Sequence, residues 1–182
     1  MKLVLAVSGA SGAIYPIRLI EFLKKTDHDV SVIATTNALE IARSECGYDL
    51  RETGYPYYGP TDFTAPFASG SARYDALAVV PCSMGTLGRI AHGSSDNLIA
   101  RTADVFLKER REFVLVPRET PFSLVHLENM RLLAQAGVTI LPACPSFYSG
   151  PKTIEEAVDT VNARILDHLG IENDLRPRYG ND

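Results

Sequence analysis

Tryptophan is absent from this 182-residue chain, histidine occurs four times and cysteine three times. The cysteines, Cys46, Cys82 and Cys144, form no Cys-x-x-Cys pair and no dense framework. That pattern argues against a structural zinc or a disulfide scaffold and favours a reducing compartment, with the cytoplasm as the expected location. An excess of positive charge is missing too: 18 Lys and Arg stand against 22 Asp and Glu, a net charge of -4. Such a balance gives no general attraction to nucleic acid or to an anionic membrane. No apolar run reaches membrane-spanning length, and the chain opens on a strand instead of a basic start followed by a cleavable apolar segment. What is present, 46% hydrophobic and 22% charged residues, is ordinary for a globular protein and enough for one compact domain. That domain is expected over residues 1–171, with a polar tail at 172–182.

Short apolar runs rich in branched residues alternate with helical patterns. Lys2 to Val7, Val30 to Ala34, Ala76 to Val80, Phe113 to Val116 and Val138 to Leu141 read as five buried strands. Ile14 to Lys25, Asn37 to Cys46, Asp96 to Arg111, Ser123 to Ala136 and Ile154 to Leu169 carry apolar residues at helical spacing. The expected architecture is a three-layer α/β/α sandwich, a Rossmann-like doubly wound parallel sheet with right-handed crossovers and approximate strand order 3-2-1-4-5. Asp49 to Arg73 breaks the rhythm. Its tyrosines, phenylalanines and prolines form a long connection with little periodicity, and connections of that length usually serve a function or cover something. It is open to three readings: a surface loop packing its own aromatics, a wall for a flat ligand, or a contact between subunits.

In open α/β sheets, ligands bind outside the carboxyl ends of the strands. The residues just past those ends are Ser8 to Gly12, Thr35-Thr36, Pro81 to Thr86, Pro117 to Thr120, and Pro142 with Cys144 to Tyr148. Hydroxyls, glycines and one Arg-Glu pair dominate, which suits an anionic, hydrogen-bonding ligand. The first of these, Val7-Ser8-Gly9-Ala10-Ser11-Gly12-Ala13, reads as a phosphate-cradling loop with a hydroxyl at its middle. It departs from the dinucleotide pattern G-x-G-x-x-G. Cys82 looks like a nucleophile by position, yet neither His92 nor His126 is placed as its base, so packing is the better reading.

Taken in order, GASGAIY, ASGS at Ala68 to Ser71, PCSMGTL, NLIARTADVFLKERR at Asn97 to Arg111, VPRETPFSLVHLENM at Val116 to Met130 and PSFY at Pro145 to Tyr148 resemble the flavin prenyltransferase family of the UbiX type, which includes phenolic acid decarboxylase B subunits. The likeness runs from residue 2 to about residue 179. It implies a flavoprotein-type fold and an FMN binder that joins a dimethylallyl group, from dimethylallyl monophosphate, to N5 and C6 of reduced FMN without a metal. The product, prenylated FMN, would serve a separate UbiD-type decarboxylase. The resemblance also implies a homo-oligomer, a dodecamer with sites shared by three subunits.

Residue by residue, the resemblance makes Ser11, Glu45 and Glu119 the catalytic group. Gly9, Ala10, Ser11, Gly12, Thr36, Ser83, Met84, Thr86, Arg101 and Arg118 would hold FMN, and Lys108, Arg118, Tyr148 and Arg164 the allylic phosphate. The choice between Thr35 and Thr36 stays open, because many relatives carry serine followed by lysine there. Phe63 stands where relatives often place tryptophan. Two other functions compete. An FMN-dependent cysteine-type decarboxylase would need a histidine in the first helix and an asparagine motif such as P-A-M-N, whereas this chain has none in that helix and reads Pro142-Ala143-Cys144-Pro145. A non-catalytic flavin carrier would have no need of an allylic phosphate clamp.

Overall fold

A computed structural model describes residues 1–177 and residue 180. The elements run β1 (Lys2–Val7), α1 (Ile14–Leu23), β2 (Asp29–Ala34), α2 (Thr36–Cys46), β3 (Tyr57–Tyr58), β4 (Ala76–Cys82), α3 (Met84–Ala91), α4 (Leu98–Lys108), β5 (Glu112–Pro117), α5 (Leu124–Gln135), β6 (Thr139–Ile140) and α6 (Ile154–His168). The strands form one parallel sheet in the order β3-β2-β1-β4-β5-β6. Successive side chains of a strand point to opposite faces. Accordingly Leu3, Leu5 and Val7 join α1, α2 and α6 in one apolar cluster, while Val4 and Ala6 join α3, α4 and Leu133 of α5 in the other. The result is a three-layer α/β/α sandwich.

The strand order expected from sequence needs correction. With five strands counted, 3-2-1-4-5 puts Ala76 to Val80 outside the second strand; instead β4 lies at the centre, paired with β1 on one side and β5 on the other. Every residue of β4 is buried, as a central strand requires. The position outside β2 is taken by Tyr57–Tyr58, a two-residue strand too short to show a period. A second difference is α3, an eight-residue helix that follows β4 directly and is not among the helical patterns given above.

The aromatic connection is largely folded onto the domain. Phe67 is fully buried and meets the rings of Tyr58 and Tyr74 edge-on, with centroids 5.0 and 5.3 Å away. Phe63 remains exposed. The segment after α6 lies against that helix: the Asn173 amide donates to Asp167 Oδ1 at 3.1 Å, and Leu175 packs on the first apolar cluster. Among the described residues, no helix is long and apolar enough to cross a membrane.

This order places the topological switch between β1 and β4, because the chain winds outward from β1 to β3 and then returns to the other side. The crevice beyond their carboxyl ends is where a ligand is expected. The buried Ser8 hydroxyl fastens the two ends together. It donates to Pro81 O at 3.1 Å and accepts the Ser83 N–H at 2.8 Å.

Candidate functional site

A cavity of about 330 Å³ opens at this switch, with Gly9, Thr36, Asn37, Ser83, Thr86 and Asn97 among its walls. Three helices begin here. Thr35 caps α2 by accepting the Ala38 N–H, Ser83 caps α3 by accepting the Thr86 N–H, and Asn97 caps α4 by accepting the Ala100 N–H. None of these helices has an acidic residue in its first turn. Their first turns thus bring no acid to the cavity, and the one carboxylate among its described walls, Asp96, is paired with Arg89 at 3.1 Å, an arrangement suited to a phosphate. Gly9 leaves room at the same wall, since an added Cβ would lie 2.7 Å from Asn37 Cβ. Of the two threonines, Thr35 is engaged as the cap of α2, whereas Thr36 is exposed at the mouth. The sequence reading missed Asn37, Asn97 and Arg89; Asn97 was detectable as an asparagine directly before a helical apolar run.

Next to this cavity, Glu45 reaches from the last turn of α2 to the start of α1. Its carboxylate accepts the N–H groups of Gly12 and Ala13, each at 2.9 Å, and a hydrogen bond from Ser11. Partial burial pushes the Glu45 carboxyl up. The Ser11 hydroxyl, the Ala13 and Gly12 amides and the Arg118 guanidinium outweigh that and hold it below the usual glutamate range. Gly12 has φ +108°, a backbone conformation that side chains rarely adopt, and a Cβ there would press on the Tyr15 ring. Ala10 donates its N–H to Ser8 O at 2.8 Å, which completes the tight turn.

Arg118 and Glu119 leave the carboxyl end of β5, where the Arg118 N–H donates to Cys82 O at 3.2 Å. Together with Phe122, Pro142 and Cys144 their side chains line a second, mostly apolar cavity of about 340 Å³. Tyr15 looks into the same neighbourhood. Burial raises its phenol, Cys144 raises it further and Arg118 opposes the shift. Glu119 is exposed and accepts the N–H of Thr120. Ser11, Ser83 and Arg118 are thus gathered at one end of the sheet.

Not every expected residue is brought there. Tyr148 and Arg164 line an adjoining cavity of about 480 Å³ between β6 and α6, which shares Pro142 and Cys144 with that of Arg118. Met84 is nearly buried in the second apolar cluster. Arg101 turns to Ala68 O, at 3.0 Å, and to Asp104, at 3.2 Å. Lys108 is paired with Glu109 in the last turn of α4, four residues before β5 begins, and so lies at the opposite end of the sheet from Ser11. Cys82 is fully buried, and burial drives its thiol far above the usual range, which removes it as a nucleophile.

Comparison with known proteins agrees with this geometry. The flavoprotein family model matches residues 1–166. A flavin prenyltransferase UbiX of Methanocaldococcus jannaschii is 45% identical over 183 residues, covering 99% of both chains. The crystal structure of AnUbiX (PadA1) in complex with FMN and dimethylallyl pyrophosphate superimposes with TM-score 0.96 at 38% identity, covering 99% of this chain and 97% of that one. A dodecameric FMN-dependent UbiX-like decarboxylase from Escherichia coli O157:H7 gives TM-score 0.95 at 38% identity, with full coverage of both chains. Sheet order, switch-point cavity and full-length identity agree, and the chain belongs to the flavoprotein family and, within it, to the flavin prenyltransferases of the UbiX group.

Proposed function

We propose that this chain transfers a dimethylallyl group from dimethylallyl monophosphate to reduced FMN, giving prenylated FMN for a UbiD-type decarboxylase. The observation that carries the reading is the Ser11–Glu45 pair, an ionised carboxylate and a hydroxyl held at the start of α1 within the field of Arg118. FMN fits the neighbouring cavity on two structural grounds: three helix N-termini without an acid in their first turns for its phosphate, and the close backbone approach that Gly9 allows. Thr36, Ser83 and Thr86 offer hydroxyls beside those amides. Arg101 joins this set only if it leaves its present partners or comes from a neighbouring copy.

When bound, the reduced flavin supplies the nucleophilic N5 and C6. The residues of the chain do the rest. Arg118 with Tyr148 and Arg164 would hold the allylic ester's phosphate and take the negative charge that grows as the C–O bond breaks and its electron pair leaves with the phosphate. Ser11 and Glu45 would hold and move the proton at N5, and Glu119, beside Arg118, would assist the departed phosphate in taking the proton released at C6. Phe122, Pro142 and Cys144 give this region an apolar wall that limits water.

Lys108 lies too far along α4 to act in its own chain's site, so we assign it to the site of a neighbouring copy in a homo-oligomer of the dodecameric kind formed by the E. coli relative. The apolar, exposed start of α5, with Leu124 73% and Val125 65% exposed, offers a surface for such association. Working in the cytoplasm, as expected from sequence, would keep Cys46 and Cys144 as free thiols.

Incubation with reduced FMN and dimethylallyl monophosphate, followed by mass spectrometry of the extracted flavin, is the direct test. Gain of one isoprene unit supports the reading. Unmodified FMN would leave the carrier, and loss of CO2 from a cysteine-bearing peptide would favour the decarboxylase. Shared sites predict further that inactive Lys108→Ala and Glu45→Gln proteins regain activity when dissociated and reassembled together; failure of mixed oligomers to recover would return Lys108 to a structural role.

A further inference from the structure

Hydroxyls, amides and backbone make up most of the cavity at the topological switch. Among its described walls Arg89 is the one cation. Arg89 belongs to the last turn of α3, but helical side chains lean toward the start of their helix, and its Nη1 donates to Gly85 O at 3.1 Å. The guanidinium is thus drawn back toward the end that Ser83 caps. Gly85 makes room for it there, since a Cβ on that residue would lie 3.3 Å from Nη1.

Asp96 holds the opposite edge of the group. Its Oδ2 accepts Arg89 Nε at 3.1 Å, and its Oδ1 accepts the Asn97 amide, also at 3.1 Å, so one carboxylate orients two walls of the cavity. Nη2 of Arg89 has no partner among the described residues. The Arg89 and Asp96 side chains are 48% and 55% exposed, and an ion pair that open to water adds little to stability. A cation near the start of a helix is moreover opposed by the helix dipole. The fold gains little from this placement, whereas an anion entering the cavity would gain both the guanidinium and the helix ends.

We propose that Arg89 is the specificity-determining residue of this cavity, the group by which the chain distinguishes FMN from an uncharged flavin such as riboflavin. The inference rests on the FMN reading given above and adds the one positive side chain that reading lacks. Thr36, Asn37, Ser83 and Thr86 offer hydrogen bonds without charge, and Arg101 is engaged by Ala68 and Asp104. Hydrogen bonds from neutral groups serve a hydroxyl nearly as well as a phosphate. A charge-assisted bond from a guanidinium whose other edge is fixed by a carboxylate favours the phosphate selectively.

The test titrates wild type, Arg89→Ala and Arg89→Lys with FMN and with riboflavin, followed by flavin fluorescence. Arg89→Ala is expected to weaken FMN about ten- to hundredfold, the loss of one charge-assisted contact, and to leave riboflavin within about twofold of wild type. Arg89→Lys is expected to recover part of the preference for FMN, and added salt to erode that preference more in wild type than in Arg89→Ala. Equal losses for the two flavins would show that Arg89 only shapes the cavity. A preference for FMN that survives intact in Arg89→Ala would overturn this assignment alone. A wild type that binds both flavins alike would overturn the phosphate site itself, and Arg89 with it, whereas a wild type that prefers FMN through Arg89 but transfers no prenyl group would overturn the transferase reading and uphold this one.

Discussion

Helix α6 and the trio α2, α3 and α4 differ in the charge of their first turns. Helix α6 carries Glu155 and Glu156 there, with Glu156 also accepting the backbone N–H of Lys152, so its positive end is neutralised locally. The trio carries no acid in its first turns and turns its ends toward one cavity. Helix α1 is intermediate: it has no acid in its first turn and borrows Glu45 from α2. The start of α6 thus completes its own electrostatics, whereas the starts of α2, α3 and α4 leave theirs open to an anion.

The largest effect is expected where the borrowed charge is removed. Glu45→Gln keeps the shape of the side chain but not its charge, so FMN stays bound while single-turnover prenyl transfer slows about 10²- to 10⁴-fold, the usual cost of losing a placed acid or base. An undiminished rate would show that Glu45 merely caps α1. Next in size is the reverse change, giving an open helix the acid that α6 already has. Thr36→Asp puts a carboxylate at the mouth of the phosphate cavity and is expected to weaken FMN binding about 10- to 100-fold, measured by flavin fluorescence, without lowering the melting temperature. Unaltered FMN affinity would mean that the trio does not hold the phosphate.

A pH titration gives a smaller effect with a defined sign. The folded Glu45 carboxyl lies below its unfolded value, so its stabilising contribution is complete above the unfolded pKa of about 4.3 and is lost as pH falls through the lower folded value. Thermal melts of Glu45→Gln should therefore converge with wild type as the pH is lowered past this range. A constant difference at all pH values would contradict the ionised pair. The smallest effect belongs to α6. Glu155→Gln is expected to lower the melting temperature slightly and to leave prenyl transfer as it was, because that residue is exposed and its charge acts on the start of α6 and on Arg18 of α1.

The contrast explains what could be read from the chain. Apolar runs and caps placed β1 at Lys2–Val7 and the start of α6 at Ile154, because those signals are local. The neighbours of β4 were not legible: its uniformly buried residues mark a central strand without saying which strands flank it, and β3 is only two residues long. The loop from Gly9 to Gly12 announced an anion site through its small residues. Glu45 did not, since a glutamate near a helix end looks like any solvated one until the fold carries it 33 residues back to Gly12. Arg101 and Lys108 could be matched by resemblance, but only the fold shows that Arg101 is engaged by Ala68 and Asp104 and that Lys108 lies at the far end of α4.

Ser8 and Cys82 sit side by side in the seam between β1 and β4, sealed from solvent, while Cys46 and Cys144 stand exposed. The seam therefore contains its own chemical reporter. Alkylation of Cys82 requires the seam to part, so its labelling rate measures how often the molecule breathes at that point. A ligand drawn into the cavity across the two strand ends would hold them closed, and protection of one silent thiol would then register flavin occupancy in a protein with no tryptophan to report it.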